Sequence, residues 1–241
     1  MHIPLPITQQ INKKYCLLPK LSTEQQERIH SKDHIVLLDT GINANHPAFK
    51  NSQLTLIDFT YPQGGCRDDI GHGTHSAGIL VGHDKDGFHG LIPDKPLIIA
   101  KVMGRCLSKQ QKFNAILQAL TWCLKHASLI IMPLGSMANH PKIAHVVKQL
   151  SLRSIPIFAA AGNYGHDKLL FPAILPDVFA ISACDNQGKV LPECYQAESD
   201  HYVIPGYNIE STGLTHWHIH SGSSQACVIA AGLTIHNYLK K

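Results

Sequence analysis

Apolar positions along this chain follow two alternating rhythms. Short continuous runs, Ile35-Val36-Leu37-Leu38, Leu129-Ile130-Ile131-Met132 and Ile155-Pro156-Ile157-Phe158-Ala159-Ala160-Ala161, have the length and unbroken apolar character of strands buried on both faces. Between them the spacing becomes helical. Phe113, Ile116, Leu117, Leu120 and Leu124 fall on one stripe behind Ser108-Lys109-Gln110-Gln111, which carries the residues of a capping box. Pro141 opens a second amphipathic stretch with Ile143, Val146, Val147 and Leu150 facing inward. Ala77-Gly78-Ile79-Leu80-Val81 and Ala226-Cys227-Val228-Ile229-Ala230-Ala231 are apolar all round and read as buried helices. Strands alternating with helices imply parallel pairing through right-handed crossovers. The expected fold is therefore α/β: three layers, a doubly wound, mostly parallel sheet with helices on both faces. No repeat, low-complexity tract or linker breaks the pattern after residue 33, so we expect an N-terminal extension at 1–33 and one domain at 34–241.

The polar residues that end these runs carry the chemistry. Asp39, in Asp39-Thr40-Gly41, follows the first strand and puts a carboxylate at its carboxyl end, where open α/β sheets build their sites. His72, in Gly71-His72-Gly73-Thr74-His75, stands at the start of one buried helix, and Ser224, in Ser221-Gly222-Ser223-Ser224-Gln225-Ala226, opens another. A serine hydroxyl is a poor nucleophile until an imidazole takes its proton, and the imidazole needs a carboxylate to fix its tautomer and balance its charge. Asp39, His72 and Ser224 fit those roles. The backbone N–H of Ser224 is among the unpaired donors of a first helical turn, and Asn163, just after Gly162, offers an amide as a second donor to an oxyanion.

Asp, His, Asn and Ser in this order and in these local sequences resemble the subtilisin-like serine peptidases, the subtilases. The likeness runs from about Ile35 to Gly232 and takes in His46-Pro47-Ala48-Phe49, Gly90-Leu91-Ile92-Pro93, Phe171-Pro172-Ala173, Val178-Phe179-Ala180-Ile181-Ser182-Ala183 and Pro205-Gly206. The resemblance implies a serine endopeptidase with an Asp39-His72-Ser224 triad and an oxyanion hole that includes Asn163. It also implies a substrate lying extended beside Pro133-Leu134-Gly135, its P1 side chain against Ala160-Ala161-Gly162, and no cofactor. The small residues there leave an apolar or aromatic P1 residue as the expectation. Phe171-Pro172-Ala173-Ile174-Leu175-Pro176, Cys194-Tyr195-Gln196-Ala197 and the short closure after Ser224 resemble compact subtilases that trim ribosomal peptide precursors in cyanobactin-type pathways, which implies dedicated processing. Pro133 departs from the family's usual serine, keeping a carbonyl but losing an N–H. Ser223, Gln225 and Cys227-Val228 replace the usual neighbours of the nucleophile. The competing reading is a catalytically inactive, peptide-binding protein of the same fold.

The resemblance implies a peptide or protein substrate as the partner, and composition adds two exclusions. The formal charge is +4 with Lys and Arg scattered, so no nucleic acid is expected, and no apolar run approaches the roughly 18 residues of a membrane span. Met1-His2-Ile3-Pro4-Leu5-Pro6 lacks the basic start and apolar core of a secretory signal. Seven cysteines without framework spacing read as free thiols of a reducing compartment, and a cytoplasmic location is expected. Cys123 and Cys227 belong to helical patterns; Cys66 is expected as an exposed thiol near the cleft. The residues before Asp39 are too few for the folding pro-domain of secreted subtilases. Ile3-Pro4-Leu5-Pro6 is read either as an arm blocking the cleft or as a tail, loose or packed on helices. No metal is expected. His75 lacks the glutamate that would make it half of a metallohydrolase pair with His72; it reads as a helix residue with a satisfied hydrogen bond. His216, His218 and His220 would share one strand face, a polar face before it is a zinc site. Lys85 opposes a cation at Asp84 and Asp86, where subtilases often carry a calcium loop.

Overall fold

The computed structural model describes residues 3–32, 34–61, 64–84, 87–165, 167–196 and 201–239. In chain order these form α1 (Ile7–Gln10), α2 (Thr23–Lys32), β1 (Ile35–Asp39), β2 (Leu54–Asp58), α3 (His72–Val81), β3 (Leu97–Lys101), α4 (Lys109–His126), β4 (Leu129–Met132) and α5 (Pro141–Ser151). Then come β5 (Ile157–Ala160), β6 (Phe179–Cys184), β7 (Tyr202–Pro205), β8 (Ile209–Thr212), β9 (Trp217–His220) and α6 (Ser223–Leu239). Seven strands make one sheet in the order β2-β3-β1-β4-β5-β6-β7, and every pairing is parallel. β8 and β9 form a separate antiparallel pair.

β1 is an interior strand, and its side chains are apolar on both faces. The two-residue period sends Ile35 and Leu37 into one core with α3 and α6, and Val36 and Leu38 into the other with α4 and α5. Leu80, fully buried in the first core, is one of its larger side chains, and cutting such a residue to alanine costs roughly 2–5 kcal/mol. Helices thus cover both faces, as the alternating pattern predicts. α6 runs through the first core with Ala226 through Ala231 fully buried, which is why its sequence shows no polar face.

The capping box at Ser108 and Gln111 forms with both of its bonds, and Ile143, Val146, Val147 and Leu150 of α5 all point inward. α4 differs in detail. Its buried face is Ala115, Ala119, Leu120 and Cys123, while Phe113, Ile116, Leu117 and Leu124 pack at the margins. Ala115 and Ala119 let this helix lie close on the sheet around Leu120, and the other large residues fill the flanks.

The N-terminal residues join the first core. Ile7 and Ile29 are fully buried there, the Ile7 N–H donates to the His89 carbonyl (3.0 Å), and the Leu21 N–H donates to the Tyr238 hydroxyl (3.2 Å). Ile3 packs on the same core and the Leu5 carbonyl accepts from the Gln10 side chain. α1 lies against β8, where Gln10 Nε2 donates to the Glu210 carbonyl (2.9 Å) and the Glu210 N–H donates to Gln10 Oε1 (2.7 Å), so the stretch that begins Ile3-Pro4-Leu5-Pro6 is a tail packed on the first core; Met1 and His2 lie outside the described residues. Cys66 also departs from expectation. It is buried, with its thiol against the carbonyls of Ile57 and Ile99, because a turn with φ of 61° tucks it beneath the β2–β3 edge.

Candidate active site

β1 ends in Asp39 at the rim where α3 and α6 begin. Asp39 is 1% exposed, and its Oδ1 accepts from the Thr40 N–H and from His72 Nδ1, both at 2.7 Å. With Nδ1 committed to the carboxylate, Nε2 is the nitrogen left to take a proton. Burial acts to lower the His72 pKa, but the charge and hydrogen bond of Asp39, joined by the charge of Asp68, outweigh it and hold the imidazole above its ordinary 6.5.

Asp68 is a residue that sequence reasoning missed. It is buried, and its Oδ1 accepts from Thr40 Oγ1 (2.8 Å) and from the N–H groups of Ile70 (3.0 Å) and Gly71 (2.9 Å). Its Oδ2 accepts from the Thr74 N–H (2.9 Å) and hydroxyl (2.6 Å), and Thr40 Oγ1 accepts from the Gly73 N–H (2.8 Å). One carboxylate therefore ties the residue after Asp39 to the first turn of α3, whose unpaired N–H groups favour an anion. Gly73 makes the approach possible, since a Cβ there would collide with the Gly41 carbonyl oxygen. In the sequence, Asp68-Asp69 looks like any polar turn.

Ser224 is the second residue of α6. β1 and β4 are adjacent and paired at Leu37 and Ile131, so Pro133 emerges beside Asp39, and the Ser224 hydroxyl donates to its carbonyl (2.9 Å). The hydroxyl forms no hydrogen bond with His72. Pro133, assigned to substrate pairing from the sequence, thus touches the candidate nucleophile itself. Asn163, just past the end of β5, accepts at Oδ1 from the Ser223 N–H (3.0 Å) and from the Cys194 thiol (3.2 Å), with Nδ2 on the other side of the amide beside Gly222. Burial pushes the Cys194 pKa up to about 11, so the thiol stays protonated and able to donate. Gly222, at φ of 132°, is required here because a Cβ would lie 2.7 Å from Asn163 Nδ2. Cys194 has no sequence signal for this contact; only the fold brings it to Asn163.

The residues expected to wall the substrate differ in exposure. Pro133, Ala160, Ala161 and Gly162 are buried, Leu134 is half-buried and Gly135 is exposed. A cavity of about 500 Å³ opens beside Leu134, lined by Met103, Phe113, Ile116, Met132 and Ile143 among others.

His75 is buried with Nε2 on the carbonyls of Ile209 and His218 (both 3.1 Å), and burial lowers its pKa to about 3. It is a neutral structural imidazole, the role expected of it, although its Nδ1 has no partner. His218 and His220 stack on one face of β9 with ring centroids 6.3 Å apart; His216 lies before the strand. Among the described residues, no group of three or more His, Cys, Asp or Glu side chains is placed to hold a metal ion. Lys85, Asp86 and Ala197 lie outside the described residues.

A model of the subtilase family matches residues 32–236. The chain belongs to the subtilase family. It is 31% identical over 190 residues to the major intracellular serine protease of Bacillus subtilis (strain 168), covering 74% of this chain and 59% of that protein. It is 30% identical over 206 residues to subtilisin Savinase of Lederbergia lenta, covering 82% of this chain and 73% of the other. This subtilase chain therefore spans less than two thirds of the first relative. Among solved structures, it superposes on a psychrophilic protease with a TM-score of 0.75 at 26% identity, covering 86% of this chain and 77% of that one. On the self-cleaved protease domain of PatA the TM-score is 0.71 at 25% identity, covering 84% and 78%. Among the described residues, no helix of this subtilase is long and apolar enough to cross a membrane.

Proposed function

We propose that this subtilase is a serine endopeptidase that uses Asp39, His72 and Ser224 as its triad. The observation that carries the reading is the 2.7 Å contact between His72 and a buried Asp39 at the strand end where Ser224 opens α6. Substrate binding re-aims the Ser224 hydroxyl from Pro133 toward the imidazole, the kind of tightening that accompanies a Michaelis complex. Ser224 Oγ attacks the scissile carbonyl while His72 Nε2 takes its proton, and the Ser224 N–H and Asn163 Nδ2 hold the oxyanion. His72 then protonates the leaving amine, and water cleaves the acyl-enzyme through the same groups. The substrate lies extended along Pro133-Leu134-Gly135, and its P1 residue meets Ala160-Ala161-Gly162.

In this reading residues 34–241 are the peptidase domain and 1–33 its extension. All seven cysteines are free, which suits a cytoplasmic enzyme, as does the relative named an intracellular protease. The likeness to compact maturation subtilases favours one processed partner over broad degradation; cleavage of many unrelated sequences in a random peptide library would count against it. A fluorophosphonate tests the chemistry. The adduct is expected on Ser224 by peptide mass mapping and is absent in Ser224→Ala. An unreactive Ser224 in folded protein leaves the inactive peptide-binding reading.

A further inference from the structure

The two backbone segments assigned to the walls of the P1 subsite do not enclose an open slot. A Cβ built on Gly135 would lie 2.8 Å from both Cβ and Cδ1 of Leu170, and one built on Gly162 would lie 2.5 Å from its Cγ and 2.8 Å from its Cδ1. Both glycines therefore face the same isobutyl group, which is 4% exposed. Its backbone is pinned between the walls. The Leu170 N–H donates to the Ala161 carbonyl (2.8 Å), and Phe171 pairs with Ser136 in both directions (2.8 and 2.9 Å). Ile174 adds a bond from its N–H to the Leu170 carbonyl (2.9 Å).

An aromatic ring held between two such walls needs ~3.5–4 Å of contact distance on each face. The Leu170 side chain already occupies that gap, and its tethered backbone keeps it there. The roomy cavity shares only one of these two walls: Leu134, Gly135, Ser136 and Phe171 line it, but Ala160, Ala161, Gly162 and Leu170 do not.

We propose that Leu170 is a specificity-determining residue that closes the P1 subsite to all but small side chains, those of Gly, Ala and Ser. This reverses the aromatic P1 residue expected from the small wall residues alone, and it rests on the endopeptidase reading above. Forcing a ring into the filled gap requires displacing a packed side chain, whereas alanine fits above it. A single methylene in a tight apolar pocket discriminates roughly 10–200-fold, so the difference between Ala and Phe is expected to exceed about 100-fold.

Matched peptidyl phosphonates with Ala, Leu or Phe at P1 read this directly as rates of Ser224 labelling on the full chain. Wild type is expected to react with the Ala probe at least ~100-fold faster than with the Phe probe, and Leu170→Gly or Leu170→Ala to narrow that ratio at least ~10-fold by gaining on Phe. Wild type labelled equally fast by Phe and Ala overturns the proposal, whatever the variants do. So does a ratio unchanged in variants that still melt cooperatively. A simple fluorophosphonate, which has no side chain to seat, separates this from the parent reading. If it leaves Ser224 unmodified, the enzyme reading fails, and the subsite is read from binding of peptides ending in Ala or Phe; tighter binding of the Phe peptide then overturns the proposal.

Discussion

The two halves of the candidate site are built differently. The acid–base half is local and charged: Asp39, Thr40, Asp68, Thr74 and His72 come from two short segments, and the buried Asp68 carboxylate gathers five hydrogen bonds. The nucleophile half is dispersed and mostly neutral. Pro133, Asn163, Cys194 and Gly222-Ser223-Ser224 arrive from four places, joined by single bonds to a carbonyl, an amide and a thiol. A charged network orients its imidazole whether or not substrate is present, whereas the oxyanion side depends on a few weak contacts and on glycines that admit close approach. Damage to the first half should therefore change protonation as well as rate, and damage to the second should change rate alone.

Asp39→Asn is the hardest test of that distinction. It should lower kcat by about 10⁴-fold, the scale of such a loss in subtilisin itself and in serine proteases of other folds. The pH profile should move with it. His72 must be neutral to act as base, so wild-type kcat/KM should fall as pH drops through a midpoint above 6.5, and removing the charge that raises this pKa should shift the midpoint down. An unmoved acid limb would separate His72 from Asp39 functionally. The linked stability has the opposite sense: protonated His72 contributes stability below pH 6.5, and that contribution is lost as pH rises through the raised value.

Asn163→Ala comes next, with a loss of kcat on the order of 10²–10³-fold, a size measured in subtilisin for its oxyanion asparagine. KM and the acid limb should stay in place. A shift of the limb would erase the contrast between the halves.

Asp68→Asn acts on the charged half without touching substrate. One amide oxygen cannot accept what two carboxylate oxygens do, and its NH₂ would face the Thr74 N–H. Unfolding free energy should drop by about 1–3 kcal/mol in denaturant titrations, with the acid limb moving down as the second raising charge disappears. Cys194→Ala should have the smallest effect, a fall in kcat of roughly 3–10-fold at constant KM, equal to one neutral hydrogen bond. Cys194→Ser, which keeps a donor, should recover most of it. Equal losses in both variants would mean that the thiol only fills space.

Much of the candidate site was legible along the chain because its polar residues stand where the apolar pattern starts or stops. Asp39 follows a solid apolar run, His72 and Ser224 open apolar helices, and Asn163 closes a strand. Other features had no such mark. Asp68 reads as a surface turn, Cys66 as a free surface thiol, and the inner face of α4 as a stripe of large side chains of which only Leu120 is buried, beside Ala115, Ala119 and Cys123. In each case the deciding quantity was how closely two distant segments approach.

By itself the order of residues determined the alternation of strands and helices, the ends at which polar groups appear and the family to which they belong, because periodicity and capping are set within a few residues. Tertiary structure alone decided that Cys194 bonds the Asn163 amide, that Asp68 fastens α3 to β1 and that Leu170 lies between Gly135 and Gly162. Those contacts join residues remote in sequence, and their strength depends on packing distances of tenths of an ångström that no local pattern encodes.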